Sequence, residues 1–211
     1  MTFRSEDKYI LQKSDYIKLK CFLNEHNFTS LYPNRKIKSL YFDNKYLNMF
    51  HDSEEGVTPR KKIRIRTYND DENNPFLEFK INSAEGKFKK SDSIEPSLFK
   101  RLCKNGKYDN SYGNCMPKLY VEYKREYLSK DHLRVTIDKE INYKGFLSNC
   151  FFKERFYLFE IKTLSDDKNS SFKEKFSNNK IRFSKYSEAI KKLFANNRSN
   201  IINPWKRIWT S

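Results

Sequence analysis

The feature that most constrains the fold is a run of alternating side chains at residues 155–163. Glu160 and Lys162 alternate with aromatic and aliphatic residues, which is the period of a β-strand with two different faces. The opposite face carries Tyr157, Phe159 and Ile161. One face is therefore apolar, and the other holds a carboxylate and an ammonium about 7 Å apart along the strand.

The same spacing of charges recurs along the chain. The repeats are Glu6 with Lys8, Glu78 with Lys80, and Arg64 with Arg66. A single strand with one polar face is most often a strand that faces solvent. Several such strands, each with an apolar face that needs cover, indicate instead that the chain brings the charged faces together.

Composition permits a core and indicates an anionic partner. The 211-residue chain is 37% hydrophobic and 16% aromatic, and its formal net charge is +16. We expect one domain over residues 1–211, with 198–211 as a C-terminal tail. The charge favours nucleic acid, a membrane surface or phosphates as the partner. The alternative is a solvated, lysine-rich surface, since net charge bears on solubility before it bears on function.

Several other classes of site are disfavoured. Four widely spaced cysteines form no CxxC pair and three histidines lack ligand spacing, so a zinc site is not expected. The first ten residues, MTFRSEDKYI, lack the apolar centre of a signal peptide. No apolar run approaches the length of a membrane span. We therefore expect a cytoplasmic protein with reduced thiols.

Strands and helices follow one another in a pattern typical of the α+β class. Strands are predicted at residues 2–11, 36–43, 60–68, 76–82, 87–89, 117–128, 133–139 and 155–163. Helices are predicted at residues 14–27, 44–54 and 185–196, in a stretch that begins at Pro96, and in part of 166–179. Ser14 and Ser184 are the expected N-caps. Strands joined mostly antiparallel predict an eight-stranded antiparallel β-barrel, a tunnel, with helices packed outside.

With helices outside, the charged faces would line the barrel. Its cations would be Lys8, Arg64, Arg66, Lys80, Arg125, Arg134, Lys162 and Lys185. Unpaired buried cations are costly, and Glu6, Glu78 and Glu160 neutralise them only in part. The remainder requires a polyanion, and arginine and lysine both suit phosphate oxygens. With a divalent metal on the acids, this is the inventory of phosphoryl transfer. It is a poor inventory for reading nucleic-acid bases.

The charged pairs belong to an ordered set of motifs. The set is Glu6-x-Lys8-Tyr9, Ser39-Leu40-Tyr41-Phe42-Asp43, Arg64-x-Arg66, Glu78-x-Lys80, Tyr123-x-Arg125, Arg134-x-x-x-Asp138, Glu160-x-Lys162 and Ser184-Lys185-Tyr186. In this order it resembles the VTC (vacuolar transporter chaperone) polyphosphate polymerase domain, one of the triphosphate tunnel metalloenzymes. The resemblance runs from Arg4 to about Phe194, nearly the whole chain.

The resemblance implies a tunnel of antiparallel strands that binds ATP by its phosphates. The γ-phosphate would pass to a growing inorganic polyphosphate chain, with Mn²⁺ or Mg²⁺ assisting. The implied roles are catalytic for Lys185, Arg64, Arg66 and Lys162, phosphate-binding for Lys8, Lys80, Arg125 and Arg134, and metal-binding for Glu160, Glu6 and Glu78. The chain is similar to stand-alone bacterial-type versions, which leaves a separate membrane partner and the oligomeric state open.

One departure from the superfamily bears on the reaction. Its hydrolytic branch opens with E-x-E-x-K, whereas Arg4 stands at the first position here. Loss of that carboxylate weakens a metal site that would activate water, and so favours the polymerase over a triphosphatase. Hydrolysis of tripolyphosphate or a nucleotide is the second interpretation. A non-catalytic polyphosphate-binding module and a nucleic-acid binder are the others.

Overall fold

The computed structural model describes residues 4–164 and 179–194, which form ten strands and four helices. The strands are β1 (Arg4–Leu11), β2 (Thr29–Asp43), β3 (Arg60–Tyr68), β4 (Asp71–Ser83), β5 (Gly86–Ser93), β6 (Lys107–Asp109), β7 (Gly113–Lys130), β8 (Leu133–Gly145), β9 (Phe151–Lys153) and β10 (Tyr157–Leu164). The helices are α1 (Lys13–Glu25), α2 (Asn48–Glu55), α3 (Pro96–Asn105) and α4 (Lys185–Phe194). The predicted α+β class is confirmed. The predicted helix at 166–179, except its last residue, and the tail at 198–211 lie outside the described residues.

Every pair of neighbouring strands in the sheet is antiparallel. Hydrogen-bonded neighbours follow the order β1-β10-β8-β7-β2-β3-β4-β5, and the short strands β6 and β9 pair with β7 and β8. The main path thus holds the predicted number of strands in the predicted arrangement. The path is open, since no ladder joins β1 to β5 among the residues described, and the sheet is not closed into the predicted barrel.

The two edges of the sheet explain why the path stays open. The backbone N–H of Ile181 donates to the carbonyl of Lys8 at 2.8 Å, and Lys180 forms a bridge with Tyr9. The segment that contains Lys180 and Ile181 therefore occupies the free edge of β1. At the other edge, β5 has exposed lysines, which oppose pairing with another strand.

Helices cover the apolar faces of the strands, as the alternation predicted. α1 contributes Leu19, Phe22 and Leu23 to a buried cluster with β1, β8 and β10. α2 and α3 contribute Met49 and Leu102 to a second cluster, on the apolar faces of β2, β3 and β4. Burial of each such side chain is worth about 1.5–3 kcal/mol. These contacts hold the charged residues of the same strands on the opposite face.

The last helix departs from the prediction. α4 packs Tyr186 and Ile190 on the face of the sheet that carries the charges. The ring of Tyr186 stacks on that of Tyr41, with 5.1 Å between centroids. The prediction that the helices pack outside is therefore wrong for α4. The reason lies in β2 and β7, whose charged face becomes apolar toward the end covered by α4, at Tyr41 and Leu119.

Strand boundaries shift outward relative to the prediction. β2 begins at Thr29, seven residues before the predicted start, and β7 begins at Gly113, four residues before its predicted start. The gap between the strands predicted at 60–68 and 76–82 shrinks to Asn69 and Asp70, whose φ angles are 54° and 60°. Two successive residues with positive φ are typical of a type I′ hairpin turn, which lets both strands continue to the turn.

The helix starts follow the sequence signals in part. The hydroxyl of Ser184 accepts a hydrogen bond from the backbone N–H of Ser187 at 3.3 Å, as predicted for an N-cap. α1 instead begins at Lys13, one residue before the predicted cap Ser14. Of the helices described, none is long and apolar enough to cross a membrane.

Candidate functional site

One face of the sheet, called here the concave face, collects the predicted charged residues. Pairing in register sets Glu6 beside Lys162 and Lys8 beside Glu160. The charges of Glu6 on β1 and Lys80 on β4 act on each other, although these strands lie near opposite ends of the strand path. The sheet therefore curls until its two halves face each other. The predicted residues on this face are Lys8, Arg64, Arg66, Lys80, Arg125, Arg134, Lys162, Glu6, Glu78 and Glu160, and Lys185 reaches it from α4.

Two carboxylates meet where β1 pairs with β10. The ammonium of Lys162 lies 2.9 Å from Glu160 and 3.7 Å from Glu6. Lys8 lies 3.2 Å from Glu6 on the other side. Burial alone would raise the pKa of Glu160, but Arg125 and Lys162 outweigh it and hold the pKa well below its usual range. The pKa of Glu6 is also lowered, because the neighbouring lysines outweigh its burial and the repulsion from Glu160.

The third predicted metal ligand has a different role. Glu78 accepts a hydrogen bond from Nε of Arg64 at 2.6 Å, and its other oxygen lies 2.7 Å from the ammonium of Lys89. Burial would raise the pKa of Glu78, but Arg64 and Arg66 lower it to about 2. Glu78 is thus saturated by cations, and it orients Arg64.

The grouping of the acids decides whether a metal ion fits the concave face. No group of three His, Cys, Asp or Glu side chains that could hold a metal occurs in the described part of the chain. Glu78 therefore forms no three-acid cluster with Glu6 and Glu160 in the described part of the chain, and its assignment as a metal ligand stays a prediction. Glu6 and Glu160 are ionised and adjacent, which fits an Mg²⁺ or Mn²⁺ ion whose remaining ligands are waters and phosphate oxygens.

Arg66 and Tyr123 show how positive the centre of the concave face is. Arg66 donates to the hydroxyls of Ser39 at 3.1 Å and Tyr123 at 3.3 Å. Burial would raise the pKa of Tyr123. The guanidinium groups of Arg66 and Arg125, together with Lys185, outweigh that burial and lower the pKa. A phenol that ionises more easily although it is buried reports a strong positive potential at this point.

Asp138 joins two strands and a helix at the other half of the face. Arg125 donates to both of its carboxylate oxygens, at 2.5 and 2.7 Å. The ammonium of Lys185, the first residue of α4, lies 2.5 Å from the same carboxylate. Burial raises the pKa of Asp138, but these two cations prevail and lower it. Asp138 stood in the motifs without a role, because only the pairing of β7 with β8 assigns it to Arg125.

Lys62 is a further residue of the face that was not predicted as part of the site. Its ammonium donates to the hydroxyl of Ser184 at 2.7 Å, and no ion pair of Lys62 occurs among the residues described. Burial and repulsion from Lys80 and Lys8 lower the pKa of Lys62 to about 7. Burial is likewise the main cause that lowers the pKa of Lys80 to about 8. The alternation that includes Arg64 and Arg66 begins at Lys62, so the signal was present in the sequence.

A family model for the VTC domain matches residues 3–194. The chain belongs to the VTC domain family. The sequence motifs had indicated this family, and the match covers both ends of the sheet and α4. A comparison with curated proteins gives no significant match.

Solved structures share the fold of this VTC domain. A candidate adenylate cyclase from Bacillus halodurans superposes with a TM-score of 0.61 at 12% identity, over 99% of this chain and 98% of that one. A protein from Pyrococcus horikoshii superposes with a TM-score of 0.55 at 10% identity, over 87% and 98%. A candidate adenylate cyclase from Vibrio parahaemolyticus gives 0.53 at 12% identity, over 90% and 98%. At such identities the likeness is one of fold.

Proposed function

We propose that this VTC domain transfers the γ-phosphate of ATP to the end of an inorganic polyphosphate chain. The observation that carries the proposal is the concave face, where cations from six strands and α4 surround two ionised carboxylates. Such a face suits a polyanion, because the cations can bind many of its oxygens while one of its phosphoryl groups reacts. Phosphoryl transfer needs mainly positioning and charge neutralisation, which this arrangement supplies.

The residues divide by what they would contact. Lys8, Lys80, Arg125 and Arg134 hold phosphate oxygens of donor and acceptor. Arg64, Arg66, Lys162 and Lys185 neutralise charge on the transferred phosphoryl group. The terminal phosphate of the acceptor attacks, the bond to the β-phosphate of ATP breaks, and ADP leaves, so no covalent enzyme intermediate is needed.

In this proposal Glu6 and Glu160 would be the protein ligands of a divalent cation. Mn²⁺ or Mg²⁺ would add positive charge where phosphate oxygens meet the two acids. The contribution of the protein is to keep both carboxylates ionised and in place. Lys162 does this through its contacts of 2.9 Å with Glu160 and 3.7 Å with Glu6.

Incubation of the protein with ATP and Mn²⁺, followed by electrophoresis and polyphosphate staining, tests the proposal. We expect long chains from the wild type, none from Lys185→Ala or Glu160→Gln, and wild-type yield from Lys18→Ala. Lys18 is a suitable control because its side chain is 72% exposed on α1. Orthophosphate as the sole product, or ATP binding without turnover, would contradict polymerase activity.

The adjacency of Glu6 and Glu160 favours a second candidate, which is hydrolysis of tripolyphosphate or a nucleoside triphosphate. The same gel separates the two, because a hydrolase releases orthophosphate and builds no chain. A nucleic-acid binder would retain RNA in the presence of polyphosphate, and we expect polyphosphate to displace it. A cytoplasmic location stays a prediction from the sequence composition, and a separate membrane partner stays a prediction from the family resemblance.

A further inference from the structure

A cluster of arginine and tyrosine side chains lies at one end of the concave face. We call Tyr32, Arg35, Tyr68, Tyr127 and Arg134 the arginine–tyrosine cluster. It stands where β3 turns into β4, where β7 turns into β8, and where β2 begins. None of its members except Arg134 was predicted as part of a site.

The cluster is held together by contacts between guanidinium groups and aromatic rings. The guanidinium of Arg35 lies 5.3 Å from the ring centre of Tyr32, 5.7 Å from Tyr68 and 5.8 Å from Tyr127. Arg134 lies 5.7 Å from Tyr32 and 5.9 Å from Tyr127. These distances are typical of cation–π contacts. The rings therefore hold both cations in fixed positions.

The two arginines differ from the other cations nearby in lacking an acid. Neither guanidinium has a hydrogen-bond acceptor or an ion pair among the residues described. The acids at this end are taken, since Asp70 lies 2.8 Å from Lys36 and Glu140 lies 2.7 Å from Lys124. The fork-shaped N–H donors of both arginines are consequently available to a ligand.

The contacts that the tyrosine rings already make determine which class of ligand fits the cluster. A nucleobase would need a free aromatic face, but the faces of Tyr32 and Tyr127 already lie against Arg35 and Arg134. The rings also meet each other edge to face, with centroids 5.6 Å apart. What the cluster offers outward is N–H groups with a positive charge, and their fork geometry matches phosphate oxygens.

The cluster is continuous with the centre of the site. Arg35 is paired in register with Arg125 on β7. Arg134 is paired in register with Lys162, which links the cluster to the two acids.

The other end of the face is covered. α4 packs against Tyr41 near the end of β2, whereas Tyr32 stands near its beginning, about 30 Å away along the strand. We propose that the arginine–tyrosine cluster binds phosphate groups of a polyphosphate chain that extends out of the centre at this end. The identity of this ligand rests on the proposed function, whereas the presence of an anion subsite does not.

Equilibrium binding of inorganic polyphosphates without nucleotide tests the subsite. The probes are tripolyphosphate, which fills only the centre, and a long-chain polyphosphate, which also reaches the cluster. For Arg35→Ala we expect about tenfold weaker binding of the long chain and unchanged binding of tripolyphosphate. For Arg35→Lys, which keeps the charge without the fork, we expect a smaller loss. Lys18→Ala removes one charge from the outer surface and should bind both probes as the wild type does.

Three results would overturn the subsite. Equal losses for both probes in Arg35→Ala, with Arg35→Lys behaving as the wild type, would make Arg35 a general contributor of charge. An equal loss in Lys18→Ala would mean non-specific attraction. Weaker ATP binding with unchanged long-chain binding would mean a nucleobase site. The polymerase proposal can fail while the subsite proposal holds. This would be the outcome if the wild type made no chain from ATP but Arg35→Ala still weakened binding of the long chain alone.

Discussion

Two groups of cations on the concave face differ in what neutralises them. Arg125 and Lys185 share the buried carboxylate of Asp138, which lies 2.5 Å from each. Lys62 has the hydroxyl of Ser184 at 2.7 Å and no ion pair in the part of the chain described. The first group already has a paired counter-charge in the free protein, whereas the second gains one only when an anion binds.

The pKa values of Asp138 and Lys62 are both lowered, with opposite consequences for the charge of each group. Cations around Asp138 lower its pKa against the effect of burial, so that it keeps its charge at neutral pH. Burial and neighbouring lysines lower the pKa of Lys62 to about 7, so that it is only partly protonated at neutral pH. Asp138 and its two cations are therefore stable in their charged forms. The charged form of Lys62 is unfavourable until a phosphate binds next to it.

The largest effect is expected where the paired group is broken. Asp138→Asn keeps the shape of the side chain but leaves Arg125 and Lys185 buried without a counter-charge. Loss of one partner from a buried ion pair costs about 3–5 kcal/mol, and we expect the free energy of unfolding to fall by that amount in urea denaturation. The control is Asp92→Asn, which removes an exposed partner of Lys90 and should cost less than about 1 kcal/mol. Equal effects would mean that the pairing of Asp138 contributes no more than a surface contact.

The next effect is on the reaction. Arg64 is oriented by Glu78 and faces the centre, and Arg64→Ala should cost about 2–4 kcal/mol of transition-state stabilisation, as removal of one oxyanion donor does. This corresponds to a fall in kcat of about 30-fold to 10³-fold. Lys89→Ala is the matched variant, because Lys89 contacts the same carboxylate but its side chain is 51% exposed. Its loss should be much smaller, and near-normal turnover by Arg64→Ala would remove Arg64 from the reaction.

The charged face could be predicted because its signal is local. β3 runs over Arg60–Tyr68 as predicted, since clean alternation fixes both the strand and the side of each residue. The same holds for Glu160 and Lys162 on β10. Because the apolar faces of the strands have to be covered by helices, the charged faces of the same strands lie together on the opposite side of the sheet. Family motifs then named most of the residues that the structure collects there.

What could not be predicted depends on which strands become neighbours. Alternation gives the face of Glu78 but not its partner, and the pairing of β3 with β4 assigns it to Arg64 rather than to the acids on β1 and β10. Asp138 and Lys185 are 47 positions apart in the sequence and meet only because α4 packs on the concave face. Arg35 lies in β2 before the predicted start of that strand, so the pattern could not assign it a face.

Removal of an unpaired cation should stabilise the free protein. Lys62→Met replaces a partly buried ammonium, which has no ion pair among the residues described, with an apolar side chain of similar length. We expect the free energy of unfolding to rise by roughly 1 kcal/mol at pH 6, because replacement of poorly compensated buried charge is often stabilising. Tripolyphosphate should bind more weakly, so the increase in Tm that it gives should shrink. A fall in stability as large as that of Asp138→Asn would show that Lys62 belongs to the paired group.

The smallest expected effect is the pH dependence of anion binding, and its direction follows from Lys62. In the free protein Lys62 is protonated below about pH 7, and a bound phosphate raises its pKa. Tripolyphosphate affinity should therefore be highest below pH 7 and fall as pH rises above it, by about threefold to tenfold. Over the same interval the free protein should gain stability, since the unfolded chain keeps this proton up to a pKa near 10.5.

Two variants isolate the contribution of Lys62 from that of the ligand. Lys62→Arg stays charged at every pH used, so it should retain only the pH dependence that comes from tripolyphosphate and from Lys80. The wild type should approach the affinity of Lys62→Met at high pH and that of Lys62→Arg at low pH. Isothermal titration calorimetry in buffers of different ionisation enthalpy also measures the proton taken up by Lys62 on binding above pH 7. If the wild type and Lys62→Arg gave parallel pH profiles, Lys62 would carry its charge throughout, and the distinction between the two groups of cations would fail at this residue.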